Sequence, residues 1–150
     1  MPPLIDHAGW RVWRLARAWK NDFETAMAAR RLDWCSGARA ELVGALRQGP
    51  QTQTALAAEL GITKQAIQQF VDELAGLGVV ERRSDPQDAR IRRVALTTKG
   101  KRVLEDSNTV KREIEARMKA TLGAEAFAVF MDNLAQLTGA LEPSPDSDDE

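Results

Sequence analysis

The period of the apolar positions changes several times along the 150-residue chain, and the changes divide it into six helices and one β-hairpin. The first predicted helix, over 9–31, carries Trp10, Val12, Trp13, Leu15, Ala16, Trp19, Phe23 and Met27, an apolar surface too broad for one face. Such breadth predicts burial on more than one side, against its own domain and against a second subunit. A second helix over 37–48 follows Ser36 as N-cap and stops at Gly49-Pro50, a strong breaker pair. Thr52 then caps a short third helix with Leu56, Ala57 and Leu60 on one face, closed by Gly61, with Ile62 as a buried plug. Thr63 caps a fourth helix in which Ile67, Phe70, Val71, Leu74 and Leu77 form one apolar stripe. The opposite face carries Lys64, Gln65, Gln68, Gln69 and Asp72, which is polar with few acids.

Gly76 and Gly78 end that helix, and the β-branched Val79 and Val80 open a strand leading to Arg82 and Arg83. Residues 85–89 have turn chemistry throughout, and the return strand over 90–96 alternates Val94 and Leu96 inward. Thr97 caps a long fifth helix with Val103, Val110, Ile114, Met118 and Leu122 at near-heptad spacing, which suits helix–helix contact. Gly123 breaks it, and a sixth helix over 125–141 places Phe127, Phe130, Met131, Leu134, Leu137 and Leu141 on one face. The expected class is therefore mainly α with a small β-hairpin.

Composition removes several classes of function. No run approaches the ~18 consecutive apolar residues of a membrane helix, and the first ten residues include Asp6 and lack a signal-peptide core, so the expectation is a cytoplasmic protein with no membrane partner. One cysteine, Cys35, and one histidine, His7, predict no disulfide, no protein-built metal site and no cofactor; His7, close to the N-terminus, receives no role. There is no nucleophile elbow and no P-loop, and Glu81 stands where a dinucleotide fingerprint starting at Gly76 needs its third glycine, so an enzyme is not expected. The net charge of −1 hides an asymmetry. From 82 to 102 eight basic residues face only Asp85 and Asp88, a local balance of +6. From 142 to 150 five acids stand with Pro143 and Pro145 and no base, which predicts a disordered acidic tail.

A short helix, a tight glycine turn and a second helix with a polar outer face make a helix-turn-helix, which lays its second helix in the major groove, and the basic hairpin adds a wing. The run Asp85-Pro86-Gln87-Asp88-Ala89-Arg90 followed by Val94-Ala95-Leu96-Thr97-Thr98-Lys99-Gly100 resembles the wing signature of the MarR (multiple antibiotic resistance regulator) family. Thr52 to Ile62 and Val71 to Arg82 resemble the helix-turn-helix of the same family in order and spacing. The resemblance implies a homodimer held by its N-terminal helix and last two helices, reading a pseudo-palindromic double-stranded DNA operator, with repression as the expected output. The expected organisation is a dimerisation helix in 1–35, a winged helix-turn-helix in 36–100, dimerisation helices in 101–141 and the tail in 142–150.

The DNA-contacting residues expected on this reading are Thr63, Lys64, Gln65, Gln68 and Gln69 on the recognition helix and Arg82, Arg83, Arg90, Arg92 and Arg93 on the wing. Glutamine can bond adenine in a bidentate way, and arginine is drawn to phosphate and to narrow minor groove. By the resemblance Arg90 is the wing-tip arginine and Asp88 orients it. Ala89 departs from the family, which often has a second basic residue there. The family couples DNA affinity to a small, often aromatic or phenolic ligand or to thiol oxidation. Trp10, Trp13, Arg14, Arg17 and Trp34 are the candidate effector residues, with ordinary dimer core as the competing role, and Cys35 is expected to be buried and inert, with the basic Arg39 one helical turn on. The competing function is a winged helix that binds protein and not DNA.

Overall fold

Local signals set most of the element ends. The structure, a computed structural model, describes residues 5–142. In chain order it contains α1 (Ala8–Ala29), α2 (Gly37–Ala45), a 3-10 turn (Leu46–Gln48), α3 (Gln53–Leu60), α4 (Lys64–Gly76), β1 (Val80–Ser84), β2 (Arg92–Leu96), α5 (Thr98–Leu122) and α6 (Ala124–Leu141). The expected mainly α architecture with one hairpin is present among these residues. The hydroxyls of Thr52 and Thr63 accept the amides of Ala55 and Ala66 at 3.1 Å, and that of Thr97 accepts the amide of Gly100 at 3.0 Å. Each satisfies a helix-start donor that has no partner within its helix. Ser36 occupies the N-cap position of α2 but makes no side-chain capping bond. His7, by contrast, caps α1, its Nδ1 accepting the amide of Trp10 at 3.3 Å.

The chain forms two compact units, one ending at Lys111 and the other beginning at Arg112, so that the boundary falls inside α5. In the first unit α3 packs on α2 and α4, and Leu42, Leu56, Ile67, Val71, Leu74 and Val94 are fully buried. The antiparallel hairpin pairs Val80 with Leu96 through to Ser84 with Arg92. Gln51 adds a single bridge to Val94, exchanging backbone hydrogen bonds of 3.0 and 2.7 Å. A one-residue pairing has no period, and nothing in the sequence announces it. β2 begins at Arg92 rather than at Arg90, which the structure leaves in the turn. Leu77, expected in the buried stripe of α4, is the C-cap of that helix and is exposed, and Ile62 is only half-buried.

Gly100 locks the start of α5 to the hairpin. A Cβ at this position would lie 2.0 Å from the Val79 carbonyl oxygen, so the backbone of the helix approaches the backbone before β1 as only glycine permits. The Val79 carbonyl also accepts the amide and hydroxyl of Thr97 at 3.0 and 3.1 Å, and Lys99 Nζ donates to the Leu77 carbonyl at 2.7 Å.

In the second unit Ile114 and Phe127 are buried, while Leu122, Val129, Met131, Leu137 and Leu141 are exposed. The apolar stripe expected on α6 is therefore largely uncovered. The acidic stretch expected over 142–150 lies outside the described residues except for Glu142, the extended C-cap of α6. Among the described residues no helix is long and apolar enough to cross a membrane.

Candidate nucleic-acid interface

The turn between α3 and α4 depends on Gly61, which takes the left-handed conformation at φ 64° and ψ 31°. A side chain there would crowd the following carbonyl, so glycine ends α3 where two further residues suffice to start α4. Ile67, Val71 and Leu74 face the core, which leaves Thr63, Lys64, Gln65, Gln68 and Gln69 exposed on the outer side. The five recognition-helix residues expected from the sequence thus share one solvent-facing surface.

Two of the three glutamines are tied to neighbours. Gln68 Nε2 donates to Asp72 Oδ1 and Oδ2 at 3.1 and 3.2 Å, and its Oε1 accepts from Gln53 Nε2 at 2.7 Å. Arg82, carried by β1, donates from Nη2 to Asp72 Oδ1 at 2.6 Å and from Nε to Gln53 Oε1 at 3.3 Å. Gln69 Nε2 donates to Glu73 Oε1 at 3.4 Å, and Glu73 is in turn held by Arg39, whose guanidinium lies 5.2 Å from the centre of the Phe70 ring. Gln53 and Asp72 were not among the expected site residues; Asp72 lies one helical turn from Gln68 on α4, whereas only the folding of α3 onto α4 brings Gln53 to it.

The wing arginines differ among themselves. Arg82, Arg83 and Arg93 each have a carboxylate of their own chain, Asp72, Glu81 and Asp85 respectively. Arg92 is exposed with no ion pair among the described residues. At the tip Asp85 Oδ1 accepts the amides of Gln87 and Asp88 at 2.8 and 3.3 Å, closing the turn, while Oδ2 receives Arg93. Asp88 then holds Arg90 three times: Oδ1 accepts the Arg90 amide and Nε at 3.0 Å each, and Oδ2 accepts Nη2 at 3.0 Å. The Arg90 side chain nevertheless remains 91% exposed, a charged fork held by its base and open to solvent.

These contacts hold the carboxyls of Asp72, Asp85 and Asp88 below the ordinary carboxylate range, through the hydrogen bonds of Arg82, Arg93 and Arg90 first in each case; the same bond raises the Arg90 guanidinium. A carboxyl lowered in the folded state contributes above its ordinary pKa and loses that contribution as pH falls through the lowered one. The clamps are therefore complete at neutral pH.

The profile of the MarR family matches residues 36–91, the stretch that holds the helix-turn-helix and the wing tip. Over 107 residues the chain is 31% identical to YdgJ of Bacillus subtilis (strain 168), an uncharacterized HTH-type transcriptional regulator, a match spanning 69% of this chain and 65% of that protein. The winged helix-turn-helix of this chain matches the MarR family. Among MarR-family structures the chain is similar to CouR, a transcriptional repressor bound to a 23-mer DNA duplex, with a TM-score of 0.75 at 25% identity over 88% of this chain and 92% of that one. The apo form of MarR from E. coli shares the fold, with a TM-score of 0.72 at 20% identity over 89% and 98% of the two chains.

The effector candidates do not converge. Trp10 stacks on Trp13 with ring centres 5.2 Å apart, and Arg17 lies 5.3 Å from the Trp13 ring, all on the exposed first half of α1. Trp10 and Arg14 border only an open depression with Ile5, Asp6 and Arg11. Trp34 follows the far end of α1, more than about 20 Å of helix away at ~1.5 Å per residue, so the five do not line one pocket. A different cleft of about 420 Å³ is bordered by Trp19, Phe23, Ala40, Glu41 and Lys111, with Lys111 Nζ 5.8 Å from the Phe23 ring centre. Cys35 is buried, and burial pushes its thiol up to about 11 despite the opposing charge of Lys111. Arg39, one helical turn further along the chain, is engaged by Glu73.

Proposed function

We propose that the protein is a sequence-specific DNA-binding transcription regulator that acts in the cytoplasm as a homodimer on a pseudo-palindromic operator, with repression as its output. The observation that carries this reading is the combination of an exposed polar face on α4 with a wing whose tip arginine, Arg90, is clamped by Asp88 and left open to solvent. Thr63, Lys64, Gln65, Gln68 and Gln69 meet base edges and phosphates in the major groove, and Arg90 and Arg92 reach the backbone or minor groove beside it. Arg82, Arg83 and Arg93 act first as internal braces of the wing. The DNA duplex bound by CouR supports the same partner for this chain.

Exposed Trp10, Trp13 and Leu15 on α1, Leu122 on α5, and Leu137 and Leu141 on α6 support a second copy as the other partner, since apolar surface of this extent calls for cover. The cleft beside Trp19, Phe23 and Lys111 combines aromatic walls with two lysines, Lys20 and Lys111, and two glutamates, Glu24 and Glu41, chemistry suited to a small aromatic effector that carries polar groups.

Binding of fragments selected from random DNA, measured across salt, tests the reading. A regulator that neutralises about six phosphates loses roughly 10³-fold in affinity between 50 and 200 mM salt, and a two-fold dimer selects half-sites about 10 base pairs apart. Binding without salt dependence, or no DNA selected at all, would leave the protein-binding winged helix as the better description.

A further inference from the structure

Gln53, Gln68, Asp72 and Arg82 close a ring of hydrogen bonds whose direction is set by its two charged members. A guanidinium only donates and an ionised carboxylate only accepts. Arg82 donates to both Asp72 and Gln53, so Gln53 must turn its carbonyl toward Arg82 and its NH2 toward Gln68. Asp72 accepts, so Gln68 must turn its NH2 toward Asp72 and its carbonyl toward Gln53. Reversing the Gln68 amide would set its oxygen against the carboxylate and its NH2 against the NH2 of Gln53. Reversing both amides would oppose the NH2 of Gln53 to Arg82. One orientation satisfies all four groups.

We infer that Gln53 and Asp72 are positioning residues that lock the Gln68 amide in one orientation and thereby make Gln68 a reader of adenine. The inference rests on the DNA-binding reading above. With one Nε2 hydrogen committed to Asp72 and one Oε1 lone pair to Gln53, the exposed amide keeps one donor and one acceptor in fixed order. In the major groove adenine offers the complement, the N7 acceptor beside the N6 donor. Guanine presents two acceptors, thymine a lone O4 acceptor and cytosine a lone N4 donor, so none of these engages both ends of the locked amide. A glutamine free to turn over could donate to guanine as readily as it pairs with adenine. The lock removes that choice before DNA arrives, which also reduces the side-chain freedom lost on binding. Through Arg82 the same ring ties the wing strand to α4, so a purely structural brace is the competing role, and the two roles differ in what they do to base preference.

The test uses the full chain and randomised operator DNA, reading base preference at each position for the wild type, Gln68→Ala, Asp72→Asn, Gln53→Met and the double variant of the last two, with melting temperatures alongside. Asp72→Asn keeps the shape but can donate as well as accept, which removes one constraint while Gln53 still offers Gln68 only its NH2; the Gln68 amide regains both orientations in the double variant that combines Asp72→Asn with Gln53→Met. Gln53→Met removes the other constraint and leaves the Asp72–Arg82 pair in place, so reversal of the Gln68 amide meets one mispaired contact instead of two, and this weakened lock carries the test if the variants at Asp72 fold poorly. The wild type should prefer adenine at one position of each half-site, and Gln68→Ala should erase that preference. The double variant should lower the adenine ratio there roughly tenfold, the order of one lost base contact, and each single variant by less, with other positions unchanged. Variant profiles identical to the wild type, with affinity reduced evenly across sequences, would make the ring a brace and overturn the inference. Loss of no adenine position in Gln68→Ala would overturn it while leaving the DNA-binding reading standing. A wild type that selects no sequence would remove both.

Discussion

Gly100→Ala sets two physical effects against each other with opposite signs. Helix propensity alone favours alanine inside a helix by about 1 kcal/mol, so an isolated α5 would gain. In the folded chain the new Cβ would stand 2.0 Å from the Val79 carbonyl oxygen and 3.1 Å from Leu96 Cδ2. A carbon–oxygen contact settles near roughly 3.3 Å, so the start of α5 and the Val79 backbone must part by more than about 1 Å. Neither is a flexible side chain. Overpacking of this kind costs about 1–3 kcal/mol, and the two Thr97 hydrogen bonds on the same carbonyl stand to lose about 1 kcal/mol each. The net expectation is a loss of about 2–4 kcal/mol, which at roughly 2–4 °C per kcal/mol lowers the melting temperature by about 5–15 °C for a chain of this size. Circular dichroism melts at one fixed protein concentration, so that mass action is equal for both proteins, measure it. Operator affinity should fall too, because the displaced segment carries the base of the wing. A melting temperature unchanged or raised would mean that the close approach does not exist or relaxes freely, and the account of how α5 is locked to the hairpin would fail.

Two further predictions address the wing and the thiol. Asp88→Ala removes a negative charge near DNA, which simple electrostatics would reward; because Asp88 fixes the Arg90 fork, operator affinity should instead weaken roughly two- to tenfold, the ordering of one long side chain, and tighter binding in titrations at matched salt would sink the clamp. Cys35, with its thiol at about 11, should react with a thiol reagent at pH 8 on the order of 10²-fold more slowly in the native than in the denatured chain from ionisation alone, and equal rates would show that the thiol is neither buried nor suppressed.

The elements and their ends were legible because their causes are local. Thr52, Thr63 and Thr97 bond to amides three residues on, Gly61 sits where its own φ demands it, and the spacing of Ile67, Val71 and Leu74 states which side of α4 faces inward. The Asp88–Arg90 clamp was visible through the resemblance of the wing to the MarR family, and the two residues stand only two positions apart in the turn. Partnerships between distant positions were not legible. Arg82, Arg83 and Arg93 read from the sequence as equivalent cations on a hairpin, yet Arg82 is claimed by Asp72 from another element and Arg93 by Asp85 from across the turn. Arg39 stood in the sequence only as a base one helical turn from Cys35, and its partner Glu73 lies 34 residues away; Trp34 was grouped with Trp10 and Trp13 although a helix stands between them. Gln53 gave no sign at all: an N-terminal helix residue with no period and no charge acquires a role only when α3, α4 and β1 come together. Capping, turns and helical faces are decided within a few residues of chain, where bond geometry leaves few choices. Which carboxylate holds which arginine, and which way an amide turns, depends on distances of a few ångströms between segments far apart in sequence, and only the packed core sets those.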